Sequence, residues 1–319
     1  MAPNIENDTA LLQALAALEV ERKKIAAQKI TDEVFTALCF IGLSVSYFLN
    51  HLLTGIAVFI VFMLILSIRY TFRNDKLTRY RERYKREALS AALKFIDPNL
   101  TFNPSGYIDA HEFEYSQLYD GPPDFYGSED LVAGSAGKTA FYFAEAFAEY
   151  KKEYQDKDGR KRPRLYEIFK GIIFVADFNK NFNRVTVVKP KAGKSAVGAW
   201  LSKNVSFFAD ENLIRLENTE FDKTFVTYSS DQVEARYILT PAMMESILKL
   251  NHQSINTIRL SFTGSKMYIA FPLNRNYFEA PIFGSLLKPV TLYNDINVIK
   301  FMYDIVKELD LNTRIWGKE

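Results

Sequence analysis

From Val34 to Ile68 the chain carries no Asp, Glu, Lys or Arg: VFTALCFIGLSVSYFLNHLLTGIAVFIVFMLILSI. One helix of that length, rising ~1.5 Å per residue, would reach roughly 50 Å. The hydrocarbon core of a bilayer is only ~30 Å thick and takes ~20 residues. The pattern therefore predicts two passes, broken at Asn50-His51 with Thr54-Gly55 just after. At such a break, water or headgroups satisfy the backbone of the turn. A buried hairpin in a soluble core is the weaker reading, because soluble core helices seldom stay uncharged on every face for so long. A secretory signal is disfavoured by the polar stretch that precedes the run and by the lack of a small-residue cleavage site after a short apolar segment. Arg22, Lys23, Lys24 and Lys29 stand upstream; Arg69, Arg73, Lys76, Arg79, Arg81, Arg83, Lys85 and Arg86 stand downstream; the connecting loop has no Lys or Arg. Cytoplasmic flanks carry such an excess, which predicts both termini in the cytoplasm.

Beyond the second span, Leu77, Tyr80, Tyr84, Ala88 and Phe95 recur at helical spacing in KLTRYRERYKREALSAALKFI (76–96). This predicts a basic helix that continues the span or lies along the bilayer surface. Arg79, Arg83 and Arg86 are its candidate contacts to anionic lipid. Upstream, ALLQALAALEVERKKIAAQ (10–28) predicts a short amphipathic or self-associating helix. The expected organisation is an N-terminal cytoplasmic helix (1–32), a transmembrane hairpin (33–72), a basic juxtamembrane helix (73–98) and a soluble domain (99–319).

Asp97-Pro98 is expected to end the juxtamembrane helix, because a residue before proline avoids the helical region. The Pro, Gly, Asp and Tyr content of 99–130 predicts irregular structure. Phe141, Phe143 and Phe147 give one apolar face to an extended strand in KTAFYFAEAFAEYKK. Asp158-Gly159 then signals a turn into LYEIFKGIIFVADF. RVTVV (184–188) and NLIRLE (212–217) read as further strands. TIRLSFTGSKMYIAF (257–271) predicts an antiparallel hairpin with Ile258, Leu260, Phe262, Met267, Ile269 and Phe271 on its buried face. Thr240-Pro241 caps and opens a helix, and an amphipathic helix is expected at about 292–309. Strand runs followed by helices predict an α+β domain built on an antiparallel sheet with C-terminal helices.

Composition narrows the chemistry. The 319 residues are 48% hydrophobic and 24% charged with a net charge of +2, so wholesale disorder is excluded and nucleic acid is not an expected partner. One cysteine, Cys39, cannot form an intramolecular disulfide, and His51, His111 and His252 show no metal-ligand spacing with it. No metal or cofactor is expected. LVAGSAGKTAFY (131–142) ends like a phosphate-gripping loop, and GIIFVADF (171–178) places Asp177 where a magnesium ligand would stand. The required glycine four residues before Gly137 is replaced by Val132, and the following residues alternate like a strand. A hairpin turn is therefore preferred; an enzyme using phosphate through Lys138, Thr139 and Asp177 is the alternative. Glu217, Glu220, Asp222, Asp231 and Glu234 share no evident face and read as surface charge. No Gly-x-Ser-x-Gly elbow occurs. Two basic loops, GRKRPR (159–164) and KPKAGK (189–194), suggest contact with lipid headgroups or a partner, with Arg160, Lys161 and Arg162 as candidates; no aromatics interleave with the loops in a way that suits nucleic acid. Arg314 and Trp316 near the C-terminus are candidate partner anchors.

GKTAF (137–141), FKGIIFVADFNKNF (169–182), SDQVEARYILTP (230–241) and ELDLNTRIWGK (308–318) resemble segments of a bacterial membrane-protein family known only as a domain of unknown function, family 3137. The resemblance spans roughly 130–318. It implies a bacterial source and membrane anchorage, and it implies no activity. The expected function is a membrane-anchored binding or scaffolding protein of the inner membrane that contacts the bilayer and a protein partner or further copies of itself.

Overall fold

The computed structural model describes residues 9–49, 51–155, 159–178, 180–191, 210–288, 290–309 and 311. The chain divides into two compact units, one of Met1–Ile96 with Phe278–Ile296, the other of Asp97–Tyr277 with Asn297–Glu319.

The first unit is built on two long antiparallel helices, α1 (Thr9–Phe48) and α2 (Leu52–Arg83). Both are long and apolar enough to cross a membrane. Their uncharged halves leave large apolar side chains exposed, Phe48 at 81% and Leu53 at 84% among them. Asp32 closes this stretch: it accepts hydrogen bonds from Arg69 at 2.9 Å and from Arg73 at 2.6 Å, which locks α1 to α2. The expected separate helix before the first span is continuous with it. Likewise α2 runs on through a π-helical turn (Tyr84–Leu89) into α3 (Ser90–Leu93), ending before Asp97-Pro98. The apolar stripe of 10–28 is not left for self-association. Leu11, Leu15, Leu18 and Ile25 are buried, as are Tyr80, Tyr84, Ala88 and Leu89 of the same unit. The 278–296 segment is fastened here by polar bonds. Tyr80 donates to the Pro281 carbonyl at 2.7 Å, Arg22 to that of Ile282 at 2.6 Å, and the Leu286 amide to Glu19 at 2.9 Å.

The second unit carries a nine-stranded antiparallel sheet in the order β1-β2-β3-β4-β9-β8-β5-β7-β6. The strands are β1 (Thr101–Asn103), β2 (Phe125–Ala136), β3 (Thr139–Gln155), β4 (Lys161–Asp177), β5 (Thr186–Pro190), β6 (Leu213–Ile214), β7 (Phe225–Ser229), β8 (Arg259–Thr263) and β9 (Lys266–Pro272). The helices are α4 (Ala110–Tyr115), α5 (Thr219–Thr224), α6 (Gln232–Ile238), α7 (Pro241–Gln253) and α8 (Val290–Glu308), the last of which runs from the first unit into the second. α7 opens as expected, with Thr240 accepting from the Met243 amide and Pro241 in the first turn.

The stretch 99–130 departs from expectation. It holds β1, α4 and the start of β2, with Asp109 capping α4. β2 lacks a run of aliphatics and is only partly covered: of its twelve residues Asp130, Val132 and Ala136 are buried. The β8–β9 hairpin is present, but both of its faces are buried: Ser261, Tyr268 and Ala270 are covered along with Leu260, Met267 and Ile269. The second cover is an aromatic layer, where Ile108, Phe113, Leu118 and Tyr119 pack with Ala144, Ala146, Ala148, Phe169, Ile173, Val175, Tyr268 and Ala270. On the opposite face Phe141 and Phe143 stack against Phe174. There α8 contributes Tyr303, edge-on to Phe141, and Phe301, edge-on to Phe271. A strand buried on both sides needs a continuous apolar run, and GIIFVA of β4 supplies it.

Gly171 sits where β4 meets β9. A Cβ there would lie 2.0 Å from the Phe271 carbonyl oxygen. Gly171→Ala should force these central strands apart and cost roughly 3 kcal/mol or more. Thermal unfolding followed by circular dichroism in mild detergent should show a clear drop in midpoint, whereas Gly159→Ala, at an open turn, should show a smaller one.

Candidate functional site

β3 and β4 pair over almost their whole length, and two irregularities decide what each face displays. Between Glu129 and Val132 of β2, and between Ala148 and Glu149 of β3, the register shifts. Such bulges re-aim side chains. On the Phe141 face they leave a concave site of about 450 Å³, lined by Gly127, Glu129, Glu145, Phe147, Glu149, Glu167, Lys170 and Arg275 among others. Glu129 stands directly across from Glu145, and Glu149 across from Glu167. Glu145 accepts from the Tyr277 amide, and Lys170 and Arg275 also line the hollow, so its four carboxylates leave it acidic on balance. Ser128 is not a nucleophile in waiting. Its hydroxyl donates to the Glu145 carbonyl at 2.8 Å and accepts from the Ile108 amide at 3.1 Å. Phe147, expected to be buried with Phe141 and Phe143, is 46% exposed at this site.

The other face holds two polar groups that periodicity did not single out. Glu112 of α4 accepts from Lys266 at 2.7 Å and from Tyr142, while Lys266 also donates to the Tyr142 hydroxyl at 2.7 Å. Burial, and then the Glu112 contact, raise Tyr142 above the usual phenol range, so it remains a donor. Nearby on the same face, Arg259 lies over the Tyr119 ring at 4.4 Å and Lys189 over the Tyr228 ring at 4.6 Å. Asp120 is 3% exposed, and neither of its carboxylate oxygens has a hydrogen-bond partner among the described residues. Burial pushes its carboxyl up to about 6, against the opposing pull of Lys189 and Arg259. Burial also lowers Lys189. Lys189 does not sit on a solvated loop; it is the half-buried penultimate residue of β5, and 192–194 of KPKAGK lie outside the described residues.

Gly137-Lys138 forms a two-residue turn between β2 and β3, with Ala136 paired to Thr139 and Gly137 at a φ of 64° that side-chain-bearing residues rarely adopt. A strand, not a helix, follows the turn, so the helix N-terminus on which a phosphate loop depends is missing at this place. Thr139 is buried and its hydroxyl donates to the Leu311 carbonyl at 3.2 Å. Asp177 ends β4 at the same end of the sheet, across from Lys266.

The basic candidates are dispersed. Arg79 is exposed, Arg83 is held by Glu21 and Glu87, and Arg86 lies 3.9 Å from Glu82. Arg160, Lys161 and Arg162 are exposed at the β3–β4 turn, with Lys161 3.7 Å from Glu153. Arg314 and Trp316 lie outside the described residues. The suspected carboxylates have structural duties. Asp231 caps α6, Glu234 accepts the Asn183 and Arg184 amides, Asp222 pairs with Lys191, and Glu220 lies 3.5 Å from His252.

Residues 167–311 match the family model described as "Protein of unknown function (DUF3137)". The matched segment begins within β4, so FKGIIFVADFNKNF and SDQVEARYILTP fall inside it, GKTAF falls outside, and only the first four residues of ELDLNTRIWGK are included. No curated protein matches the chain in sequence. One similar solved structure is the crystal structure of the mycobacterial trehalose monomycolate transport factor A, TtfA, with 8% identity and a TM-score of 0.33, covering 70% of this chain and 94% of that one. At that distance neither fold nor function carries across.

A raised carboxyl has a definite consequence for stability. Asp120 holds its proton more tightly folded than unfolded, so its contribution is fully present below the unfolded value of 3.8 and is lost as pH rises through about 6. Ionised Asp120 therefore weakens the fold above that pH. Asp120→Asn should stabilise the protein at pH 8 by roughly 3 kcal/mol at most and leave it nearly unchanged at pH 4. Unfolding midpoints of both forms across that range check the sign.

Proposed function

We propose that this protein is a membrane-anchored binding or scaffolding protein, with α1 and α2 crossing a bacterial inner membrane, both termini in the cytoplasm, and the sheet unit presented there to a protein or lipid partner. One observation carries the reading. Among the described residues of Val34–Ile68 no apolar side chain is buried, and Val58, Leu64 and Ile68 are more than half exposed, whereas a core helix in a soluble protein would bury them. Water is a poor solvent for such a surface and lipid a good one. The flanking cations and the Asp32–Arg69–Arg73 cluster at one end of the apolar stretch fit a headgroup boundary. A binding role is further supported by the concave site on the sheet, lined by four glutamates with Lys170 and Arg275. Self-association through the hairpin is compatible with the same reading.

Two outcomes are expected. The full-length protein should remain in the membrane pellet after an alkaline carbonate wash, and a C-terminal tag should resist external protease in intact spheroplasts; release into the supernatant or cleavage from outside would refute the topology. Calorimetric titration of the detergent-solubilised protein with ATP and magnesium should give no saturable heat. Saturable binding that disappears in Lys138→Ala would restore the phosphate-using alternative.

A further inference from the structure

β3 and β4 outrun their neighbours. β2 pairs with β3 only up to Glu149, and β9 with β4 only from Gly171, so Tyr150–Gln155 and Lys161–Tyr166 continue as a two-stranded arm. At ~3.3 Å per residue this arm is roughly 20 Å long. The register pairs Tyr150 with Tyr166, Lys152 with Arg164, and Tyr154 with Arg162. Because side chains alternate across a strand, these six share one face: three tyrosines and three cations, and no acid. The sequence hides this stripe, since its members come from two strands that run in opposite directions. The other face is mixed. It carries Lys151 opposite Leu165 and Glu153 opposite Pro163, with Glu153 close to Lys161.

The stripe is built rather than incidental. The bulge at Ala148–Glu149 shifts the parity of β4, which is what brings Tyr166 onto the same side as Tyr150. Tyr150 is 6% exposed and stacks on Tyr166 at 5.2 Å, while Arg164 lies over the Tyr166 ring at 5.3 Å. Lys152 and Arg164 stand directly opposite each other, a like-charge pair that is unfavourable unless an anion lies over it. Beyond them Tyr154 is 42% exposed and Arg162 is exposed.

We propose that this face of the arm docks on an anionic bilayer surface, with Lys152, Arg162 and Arg164 meeting lipid phosphates and Tyr154 lying at headgroup depth. The proposal rests on the membrane reading above, since a unit joined to two spans meets bilayer continually. Cations and tyrosines together match the headgroup layer, where amphipathic rings and basic side chains both find favourable surroundings. Single-stranded nucleic acid would need free ring faces for stacking. Here the Tyr150–Tyr166 pair occupies its own facing surfaces and Arg164 covers Tyr166, which leaves Tyr154 alone to stack.

The test uses the full-length chain in a Cys39→Ala background, reconstituted into nanodiscs of phosphatidylcholine with or without phosphatidylglycerol. A polarity-sensitive fluorophore is placed by Tyr154→Cys on the stripe, or by Leu165→Cys on the opposite face. Incorporation into discs reads the spans, and the difference between the two lipid compositions reads the arm, so the two readings fail separately. The expected result is a blue shift at position 154 in anionic discs only, with position 165 unresponsive. Each single change Lys152→Gln, Arg162→Gln or Arg164→Gln should lower the docked-to-undocked ratio at a fixed phosphatidylglycerol content by roughly fivefold. Arg162→Lys with Arg164→Lys should retain the response, which separates lost charge from lost folding. Identical emission in both discs, an equal shift at position 165, or displacement of the arm by polyglutamate or a single-stranded oligonucleotide that anionic discs do not compete with would each overturn the proposal.

Discussion

The pairing of two 17-residue strands, β3 and β4, is the constraint from which the rest of the sheet unit follows. Antiparallel strands of such length twist and accumulate register error unless both faces are tied down. Here the inner half is tied down twice: by the aromatic layer around Phe113 and Tyr119 on one face, and by Phe174 with Tyr303 and Phe301 on the other. The two bulges are local departures that this cover tolerates. They set which side chains are aligned across the ladder, and so they set both the acidic hollow and the tyrosine-lysine-arginine row.

A second constraint governs the first unit, and it is one of solvent. The apolar halves of α1 and α2 turn outward, so interhelix cohesion there comes from close approach instead of hydrophobic burial. Gly55 and Ser46 meet so tightly that a Cβ at position 55 would lie 2.5 Å from the serine. Beyond the apolar stretch the logic reverses. Leu11, Leu15 and Leu18 are buried, and Glu19, Arg22 and Tyr80 fasten the 278–296 segment through its backbone. One pair of continuous helices thus changes its packing rule along its length, which is why a division into separate helices was natural from composition alone.

The features legible in the sequence were those carried by local periodicity: the uncharged run, the β8–β9 hairpin, the Thr240-Pro241 cap and the amphipathic helix at α8. Features that depend on partners far along the chain were not legible. Phe147 follows the same alternation as Phe141 and Phe143 but lies where the sheet opens into the hollow. Asp120 sits in a Pro-Gly-Asp stretch that reads as a loop, and only tertiary packing buries it beside Lys189 and Arg259. No aromatic lies within GRKRPR itself, and register is what brings Tyr154 opposite Arg162 and Tyr150 opposite Tyr166. Hairpin pairing converts two unremarkable stretches into one patterned face.

That same pairing separates charge across the thickness of the ladder. Glu129, Glu145, Glu149 and Glu167 are displayed on one face, and Lys152, Arg162 and Arg164 on the other. The Tyr150–Arg162 face of the arm carries cations without an acid, whereas the opposite face mixes Glu149, Glu153 and Glu167 with Lys151, Lys161 and Lys170, so a uniformly anionic surface favours the first face over the second. Orientation then follows from charge without any shape-specific contact, and salt weakens it over about 10 Å. The Lys152–Arg164 repulsion is eased by an anion on its own side of the ladder.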